Sequence, residues 1–299
     1  MKQQLKGTFC LLLATVIWGS TFVAQSVGMD LIGPFTFQAV RCGLAAIGLL
    51  LVIAVADRFK KDGKTFLQRW RSKKLWKAGL LCSIPLFLAC NLQQLGLVET
   101  DAGKSAFITA MYIIIVPLIG IFRKCKVSKL IPVSVGLAVA GLYFLCCMGV
   151  TSITSGDLLL LGCAFMFAVQ ITLIDMYALE LDAIRLNCLQ AFFCALFSSL
   201  VMFTLETPDM NNILQCWLPL CYAGFLSMGA AYTLQILGQK ALEPSTASLI
   251  MSLESVFAVL SGWLILGEQL TLWEGIGCIL VFAAVILSQI PAKEKATTK

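Results

Sequence analysis

The sequence predicts an all-α integral membrane protein with ten transmembrane helices arranged as two inverted five-helix repeats. Three observations lead to this class: an apolar composition, ten apolar windows of spanning length and a motif that occurs twice. Of the 299 residues, 59% are hydrophobic and 13% are charged. Soluble domains carry about 25% charged residues, and a soluble chain of this composition would expose a large hydrocarbon surface and aggregate. We therefore place the chain in a bilayer, with membrane lipids around it.

Ten apolar windows follow one another along the chain, each long enough to cross about 30 Å of hydrocarbon. The first begins after Lys2 and Lys6, as a signal peptide does, but it is longer than a typical signal core and is predicted to be a retained membrane helix. The longest hydrophilic stretch, Asp57 to Lys74, is predicted to be a loop. The predicted spans cover residues 7–27, 34–56, 75–96, 103–122, 129–147, 156–176, 185–205, 213–236, 244–266 and 271–290.

Basic residues are distributed very unevenly between the two ends of these spans. With ten spans, both termini and the loops after the even-numbered spans lie on one side, and that side holds 20 of the 22 lysines and arginines. By the positive-inside rule, both termini are predicted to be cytoplasmic, with the protein in the plasma membrane. The net charge of +6 is then a signal of topology and not of nucleic-acid binding.

A five-residue motif reveals an internal duplication. Leu92-Gln93-Gln94-Leu95-Gly96 reappears 142 residues later as Leu234-Gln235-Ile236-Leu237-Gly238, and an offset of 149 residues aligns Gly7 with Gly156. Each half, residues 1–147 and 148–299, then holds five spans. Because five is odd, the second copy enters the membrane from the opposite side. This inverted arrangement is typical of secondary transporters, whose solute site lies between the copies near the midplane, and it favours alternating access.

Two charged side chains are predicted to lie deep in the bilayer, where a charge costs about 2.5–3.5 kcal/mol and by default marks a functional site. Glu254 lies about ten residues into the ninth span and Arg41 about eight residues into the second. Their depths are compatible with a pair that holds a zwitterionic or amphipathic solute, and Glu254 is the candidate for proton coupling. The alternative is structural: Arg41 extends toward the surface, and Glu254 makes a buried hydrogen bond between helices. The aligned positions, Gln190 and Tyr112, are neutral.

Other polar and aromatic residues within the predicted spans are candidates for lining a solute site. Small polar residues also hold membrane helices together through hydrogen bonds, so packing is the alternative interpretation for each of them. No residue is assigned a catalytic role. The full set of candidate solute-binding residues is Trp18, Ser20, Gln25, Arg41, Asn91, Gln94, Tyr112, Gln170, Tyr232 and Glu254.

Cysteine and histidine usage bears on metals and cofactors. Most of the thirteen cysteines lie inside apolar runs, no two form a C-x-x-C pair, and the chain has no histidine. Buried cysteine behaves as a small hydrophobic residue, whereas zinc and haem sites use histidine or closely spaced cysteines. We expect neither a metal nor a cofactor. The P-loop pattern G-x-x-x-x-G-K-[ST] is also absent, so ATP is not the expected driving force.

Several short motifs resemble those of EamA-type transporters in the drug/metabolite transporter superfamily. Trp18–Phe22 is similar to the family's W-G-[ST]-x-F element, and Ala102–Ala106 resembles the start of its fourth helix. Leu253–Ala258 is similar to the family's L-E-P-V-F-A element, and Leu266–Glu268 resembles the L-G-E that closes its ninth helix. Together the motifs cover nearly the whole chain as two tandem EamA units.

The resemblance implies a ten-helix bundle with a central cavity that transports small solutes, often exporting amino acids, amines, carboxylates or other metabolites. It also marks Trp18, Ser20 and Glu254 as notable sites. One departure is Ser255, which stands where the family pattern has proline. Proline would kink the helix, so its absence predicts a straighter ninth helix.

Two rival functions remain beside the transport of a small-molecule solute. An integral membrane enzyme or a lipid- or isoprenoid-handling protein would be expected to show paired carboxylates, a metal cluster or histidine bases near the interface. A receptor or scaffold would favour a sizeable extramembrane domain. The chain has no histidine, its acids near the interface are scattered, and its loops are short. We therefore predict a secondary transporter and not an enzyme.

Overall fold

A computed structural model of the protein describes residues 2–60, 63, 65–100, 102–123, 128–146, 154–266 and 271–290. These residues form helices and connecting turns, and no strand occurs among them. In chain order the helices are α1 (Lys2–Met29), α2 (Pro34–Arg58), α3 (Phe66–Trp70), α4 (Lys73–Glu99), α5 (Ala102–Thr109), α6 (Tyr112–Phe122), α7 (Ile131–Cys146), α8 (Ser155–Ala178), α9 (Ala183–Leu205), α10 (Met210–Gln215), α11 (Trp217–Cys221), a π-helix (Tyr222–Ala231), α12 (Tyr232–Gln239), α13 (Pro244–Met251), α14 (Leu253–Ser261), a second π-helix (Gly262–Leu266) and α15 (Leu272–Ser288).

The prediction of an all-α integral membrane protein is confirmed. Within the described residues, eight helical segments are long and apolar enough to cross a membrane. Two further apolar helices, α7 and α15, are shorter, and they lie in the fifth and tenth predicted spans. The count of ten spans therefore stays a prediction.

Three of the predicted spans are not continuous α-helices. The fourth is divided between α5 and α6, and the eighth runs through α11, the π-helix Tyr222–Ala231 and α12. The ninth is interrupted at Ser252 and ends in the π-helix Gly262–Leu266. The absence of proline at position 255 predicted a straighter ninth helix, yet the helix is interrupted three residues earlier, at Ser252. Here Ser255 Oγ donates a hydrogen bond to the carbonyl oxygen of Ala106 at 3.3 Å, so packing against α5 accompanies the irregularity.

Local sequence explains where several helices begin. Pro34 and Pro244 open α2 and α13 at the first helical position, where the missing N–H costs nothing. Thr154 caps α8 by accepting a hydrogen bond from the Asp157 N–H. Part of the predicted 57–74 loop is also helical, because Thr65 forms a capping box at the start of α3.

Glycine permits the closest helix contacts. α1 packs on α12, and α4 packs on α8. A Cβ atom on Gly7 would lie 3.0 Å from the carbonyl oxygen of Gly238, and a Cβ atom on Gly156 would lie 3.0 Å from that of Gly96. Small residues let helix backbones approach in this way inside membranes. Other extensive contacts pair α2 with α9, α7 with α15, α4 with α9 and α1 with α14.

Acidic residues at helix ends tie α2 to α9 at both ends of this helix pair. At the end of α2, Asp57 accepts two hydrogen bonds from Arg185 Nη2 at 2.6 and 2.5 Å, near the start of α9. At the end of α9, Glu206 accepts hydrogen bonds from the N–H groups of Phe35 and Thr36 at 2.9 and 2.8 Å. A carboxylate at a helix N-terminus also interacts favourably with the helix dipole.

Candidate solute-binding cavity

A cavity lies near the middle of the spans, and both halves of the chain contribute to it. Its volume is about 520 Å³, counting its open mouth. Its lining combines two charged residues with aromatic, amide, hydroxyl and aliphatic groups: Trp18, Thr21, Phe22, Gln25, Arg41, Gln93, Tyr112, Phe167, Ile171, Ser227, Tyr232, Gln235, Met251 and Glu254.

Arg41 is a buried cation in the cavity wall. It is 4% exposed, so it does not extend to the surface as the structural alternative proposed. Its Nη1 donates a hydrogen bond to Gln25 Oε1 at 2.7 Å, and its guanidinium carbon lies 5.8 Å from the centre of the Phe37 ring. Within the described residues no carboxylate forms an ion pair with it, and its Nε has no hydrogen-bond partner. A buried charge of this kind favours an anionic group as a partner.

Glu254 is the acidic residue of the same wall. It is 8% exposed, and its Oε1 accepts a hydrogen bond from the Tyr112 hydroxyl at 3.3 Å. Arg41 and Glu254 both line the cavity but do not form an ion pair with each other in the described structure. The two charges that were predicted to lie at similar depth thus line one cavity. The hydrogen bond between Glu254 and Tyr112 joins α14 to α6, as the structural alternative for Glu254 expected.

Aromatic rings form another part of the wall. The rings of Trp18 and Tyr232 meet edge to face, with centroids 5.0 Å apart, and those of Tyr112 and Phe167 meet at 6.4 Å. The indole Nε1 of Trp18 is buried and has no hydrogen-bond partner among the described residues. Aromatic faces pack against apolar solute groups, while an unpartnered N–H is available to a polar one.

Two glutamines that the sequence analysis did not select also line the cavity. Gln93 donates to Thr109 Oγ1 at 3.5 Å, and Gln235 donates to Gln170 Oε1 at 3.1 Å. Both occupy the second position of the duplicated five-residue motif. The duplication itself was therefore the signal that could have found them, because it supplies the same amide from each copy.

The predicted candidates divide into two groups. Trp18, Gln25, Arg41, Tyr112, Tyr232 and Glu254 line the cavity.

The other candidates are not part of this lining. Ser20 shares a hydrogen bond of 2.5 Å with the Tyr222 hydroxyl, and Asn91 donates to the carbonyl oxygen of Phe87 at 2.7 Å. Gln94 is buried, and neither atom of its amide has a hydrogen-bond partner in the described structure. Neighbouring positions on a helix lie about 100° apart, so Gln94 points away from the face that carries Gln93.

Gln170 supports the cavity wall from behind. Its Oε1 accepts from Gln235, and its Nε2 donates to Gln190 Oε1 at 3.3 Å. Gln190 is the residue that aligns with Arg41 in the other half of the chain. The second half thus has a neutral amide network where the first half has a cation.

Sequence comparison now identifies the family. The EamA-like transporter family matches the chain twice, over residues 5–147 and 154–289. The chain belongs to this family. The resemblance inferred from the short motifs is confirmed, and with it membership of the drug/metabolite transporter superfamily.

Relatives of this EamA-like transporter extend over nearly the whole chain. An "Uncharacterized transporter" of Archaeoglobus fulgidus is 32% identical over 285 residues, covering 93% of this chain and 83% of the relative. "Uncharacterized transporter YoaV" of Bacillus subtilis is 25% identical over 287 residues, covering 92% of this chain and 93% of the relative. A protein crystal structure at 15% identity shares the fold with a TM-score of 0.77, covering 96% of this chain and 97% of that one.

These relationships point to a multi-pass membrane transporter and not to an enzyme. Among the described residues, no group of three or more His, Cys, Asp or Glu side chains is placed to hold a metal ion. The chemistry of the cavity in this transporter is that of hydrogen bonding, charge and aromatic contact.

Proposed function

We propose that the protein is a secondary transporter that exports amino acids, amines or related small organic solutes, with solutes that carry both an anionic and a cationic group as the leading class. The observation that carries the proposal is the pair of separated charges in one cavity. Among the described residues, Arg41 Nε has no hydrogen-bond partner, and the Glu254 carboxylate accepts a hydrogen bond at Oε1 from Tyr112. A solute carboxylate would bind Arg41, an ammonium group would bind Glu254, and an apolar side chain would pack on Trp18.

The wider architecture belongs to the same proposal: ten spans in two inverted repeats, residues 1–147 and 148–299. The two shorter helices serve as the fifth and tenth spans. At 1.5 Å per residue, the 16 residues of α7 extend about 24 Å and the 17 residues of α15 about 26 Å. Both are a little shorter than a 30 Å hydrocarbon core, a mismatch that local thinning of the bilayer accommodates.

Matching contacts in the two halves support the inverted repeat. Gly7 contacts Gly238, and Gly156 contacts Gly96. The offset of 149 takes Gly7 to Gly156, and the offset of 142 takes Gly96 to Gly238. Exchange of the halves therefore converts one contact into the other, as a pseudo-two-fold axis requires.

Contacts between aligned residues favour a cavity on that axis. Tyr112 aligns with Glu254 at the offset of 142, and the two are hydrogen-bonded. Cys90 aligns with Tyr232 at the same offset, and the Cys90 thiol lies 3.7 Å from the Tyr232 hydroxyl. Equivalent residues of two copies meet only close to a symmetry axis. A site there is equally placed for opening to either face, which is the geometric basis of alternating access.

Glu254 is also the proposed site of proton coupling. Its carboxyl group is buried, has a hydroxyl partner and lies in the solute cavity. Such a group can bind a proton in one state of the cycle and a solute ammonium in the other. A proton gradient would then drive export by exchange at a single site.

The proposed location is the plasma membrane, with both termini in the cytoplasm. The distribution of 20 of 22 basic residues to the side that holds the termini supports this orientation. Tagging of each terminus and digestion from one side of sealed vesicles tests it directly.

Identification of the solute requires an unbiased experiment. Metabolites are to be compared in cells that overexpress the protein and in cells that lack it, with external and internal pools scored separately. We expect a zwitterionic solute to accumulate outside the overexpressing cells, and purified protein in proteoliposomes to transport that solute with saturation. Accumulation of only lipids or isoprenoid products, without solute flux, would contradict the proposal.

A further inference from the structure

One interface between the two halves is joined by a buried ion pair. Lys104, in α5, lies with its Nζ 2.5 Å from Asp157 Oδ2, in the first turn of α8. The two side chains are only 12% and 9% exposed. The same carboxylate oxygen accepts a hydrogen bond from the Thr154 N–H at 2.9 Å. The ion pair thus fixes the start of α8 to α5. It lies at one end of the interface, the end that is far from the N-terminus of α1.

Further ion pairs join α8 to the first half at its other end. Arg123, just after α6, lies 3.7 Å from Asp175, and Lys74, at the start of α4, pairs with Glu180, just after α8. These side chains are more exposed than the Lys104–Asp157 pair, and exposed ion pairs are individually weak. Their position is nevertheless informative, because the α4–α6/α8 interface has ion pairs at both of its ends.

The matching interface, between α1 and α13–α14, lacks these charges. The repeat offsets take Lys104 to Thr246 and Asp157 to Thr8. They take Arg123 to Ile265 and Asp175 to Ser26. Hydroxyl and aliphatic side chains therefore occupy the positions that are ionic in the other interface.

This asymmetry affects which interface can separate. Opening the α4–α6/α8 interface requires parting an ion pair whose side chains are almost fully covered. It also breaks the hydrogen bonds that Thr100 shares with Thr154 and donates to Asp157, at 3.1 and 3.5 Å. Opening the α1 interface separates neutral groups that water can solvate at little cost. The glycine contact between α1 and α12 matches the one between α8 and α4, but the side chains of the two matching interfaces differ in charge.

We infer that α8 stays fixed to α4–α6 throughout the transport cycle and that the cavity opens to each face by movement of α1 against α13 and α14. The inference deepens the proposed function, because it rests on alternating access. It makes α1, which carries the cavity residues Trp18 and Gln25, the moving element. The ion pair Lys104–Asp157 is then a structural clamp and not a gate.

Matched cross-links test this inference. One variant carries Lys104→Cys and Asp157→Cys, and the other carries Thr8→Cys and Thr246→Cys at the equivalent positions. Each protein is reconstituted in nanodiscs and joined with a short bis-thiol reagent, and the unsubstituted protein with the same reagent controls for native cysteines. Hydrogen exchange followed by mass spectrometry then reports residues 24–31, at the far end of the α1 interface, and needs no solute.

The two cross-links have different expected results. The 8–246 link should hold one face closed, raise exchange at residues 24–31 at least threefold and stop solute flux in proteoliposomes. The 104–157 link should change exchange at residues 24–31 and solute flux by less than twofold. A 104–157 link that stops flux or changes that exchange threefold would overturn the inference, as would an 8–246 link without effect.

A single substitution gives an independent measurement if a double variant does not fold. Lys104→Gln removes the cation and leaves Asp157 as part of the helix cap. We expect exchange at residues 154–160 to rise at least threefold, and unchanged exchange there would show that the ion pair does not hold the interface. If the unlinked protein carries no solute at all, the proposed function fails, while the exchange results still decide which interface moves.

Discussion

Substitution of Arg41 by glutamine should weaken solute binding by a predictable amount. Arg41 is buried, its Nη1 is held by Gln25, and its Nε is unpartnered among the described residues. A solute carboxylate bound there gains at least one charge-assisted hydrogen bond, worth about 1.5–3 kcal/mol. Since about 1.4 kcal/mol corresponds to a factor of ten in affinity, the loss of one such bond weakens binding roughly 10- to 150-fold.

The assay uses the amino acid that the metabolite comparison identifies as the solute. It compares this acid with its amide, which lacks the carboxylate. The affinities of wild type and Arg41→Gln are measured by isothermal titration in detergent. Wild type should prefer the acid, and Arg41→Gln should lose most of that preference while binding the amide as before. Arg71→Gln, at an exposed cation, is the control and should change neither affinity more than twofold. An unchanged acid-to-amide ratio in Arg41→Gln would refute the assignment of Arg41 to the carboxylate.

Three further predictions concern coupling and stability. Glu254→Gln should abolish the stimulation of solute flux by a pH gradient, while solute exchange in the absence of a gradient stays measurable. Normal pH-driven flux in this variant would exclude a proton role for Glu254. Arg185→Met should lower the stability by about 1.5–3 kcal/mol, because Asp57 loses two short hydrogen bonds from Arg185 Nη2 and keeps the longer contacts to Arg69 and Lys60. A melting temperature within about 1 °C of wild type would contradict this expectation. Gly96→Ala should destabilise the protein by about 1–3 kcal/mol, because the new Cβ would lie 2.6 Å from Leu160 Cγ. Gly136→Ala is the matched control, since a Cβ atom there meets no atom within 4 Å. Equal thermal stability of the two alanine variants would show that the helices relax freely.

Much of the helical architecture was predictable from the sequence, because the bilayer enforces a simple rule of length and hydropathy. α2 begins at Pro34 as predicted, and α9 ends at Leu205 as predicted. The interruptions were not predictable. The break at Ser252 and the π-helix Tyr222–Ala231 occur without proline at the site, and they depend on packing between helices that are distant in sequence.

The candidate site was predictable in part for a related reason. Charges such as Arg41 and Glu254 are so costly in a membrane that position alone marks them. Amide side chains carry a weaker signal. Choosing Gln93 instead of Gln94 would have required the rotational position of α4, which hydropathy does not give. Ser20 was favoured by a family motif, yet its hydroxyl bonds to Tyr222 outside the cavity lining.

We propose that the two halves alternate around a cavity that holds a zwitterionic solute between Arg41 and Glu254. Counterflow in proteoliposomes tests it most directly: vesicles are loaded with unlabelled solute, and uptake of labelled solute is followed without any ion gradient. We predict saturable counterflow by wild type and a reduction of at least tenfold in Arg41→Gln at low solute concentration. Counterflow at the wild-type rate in that variant, or flux that does not saturate, would contradict the account.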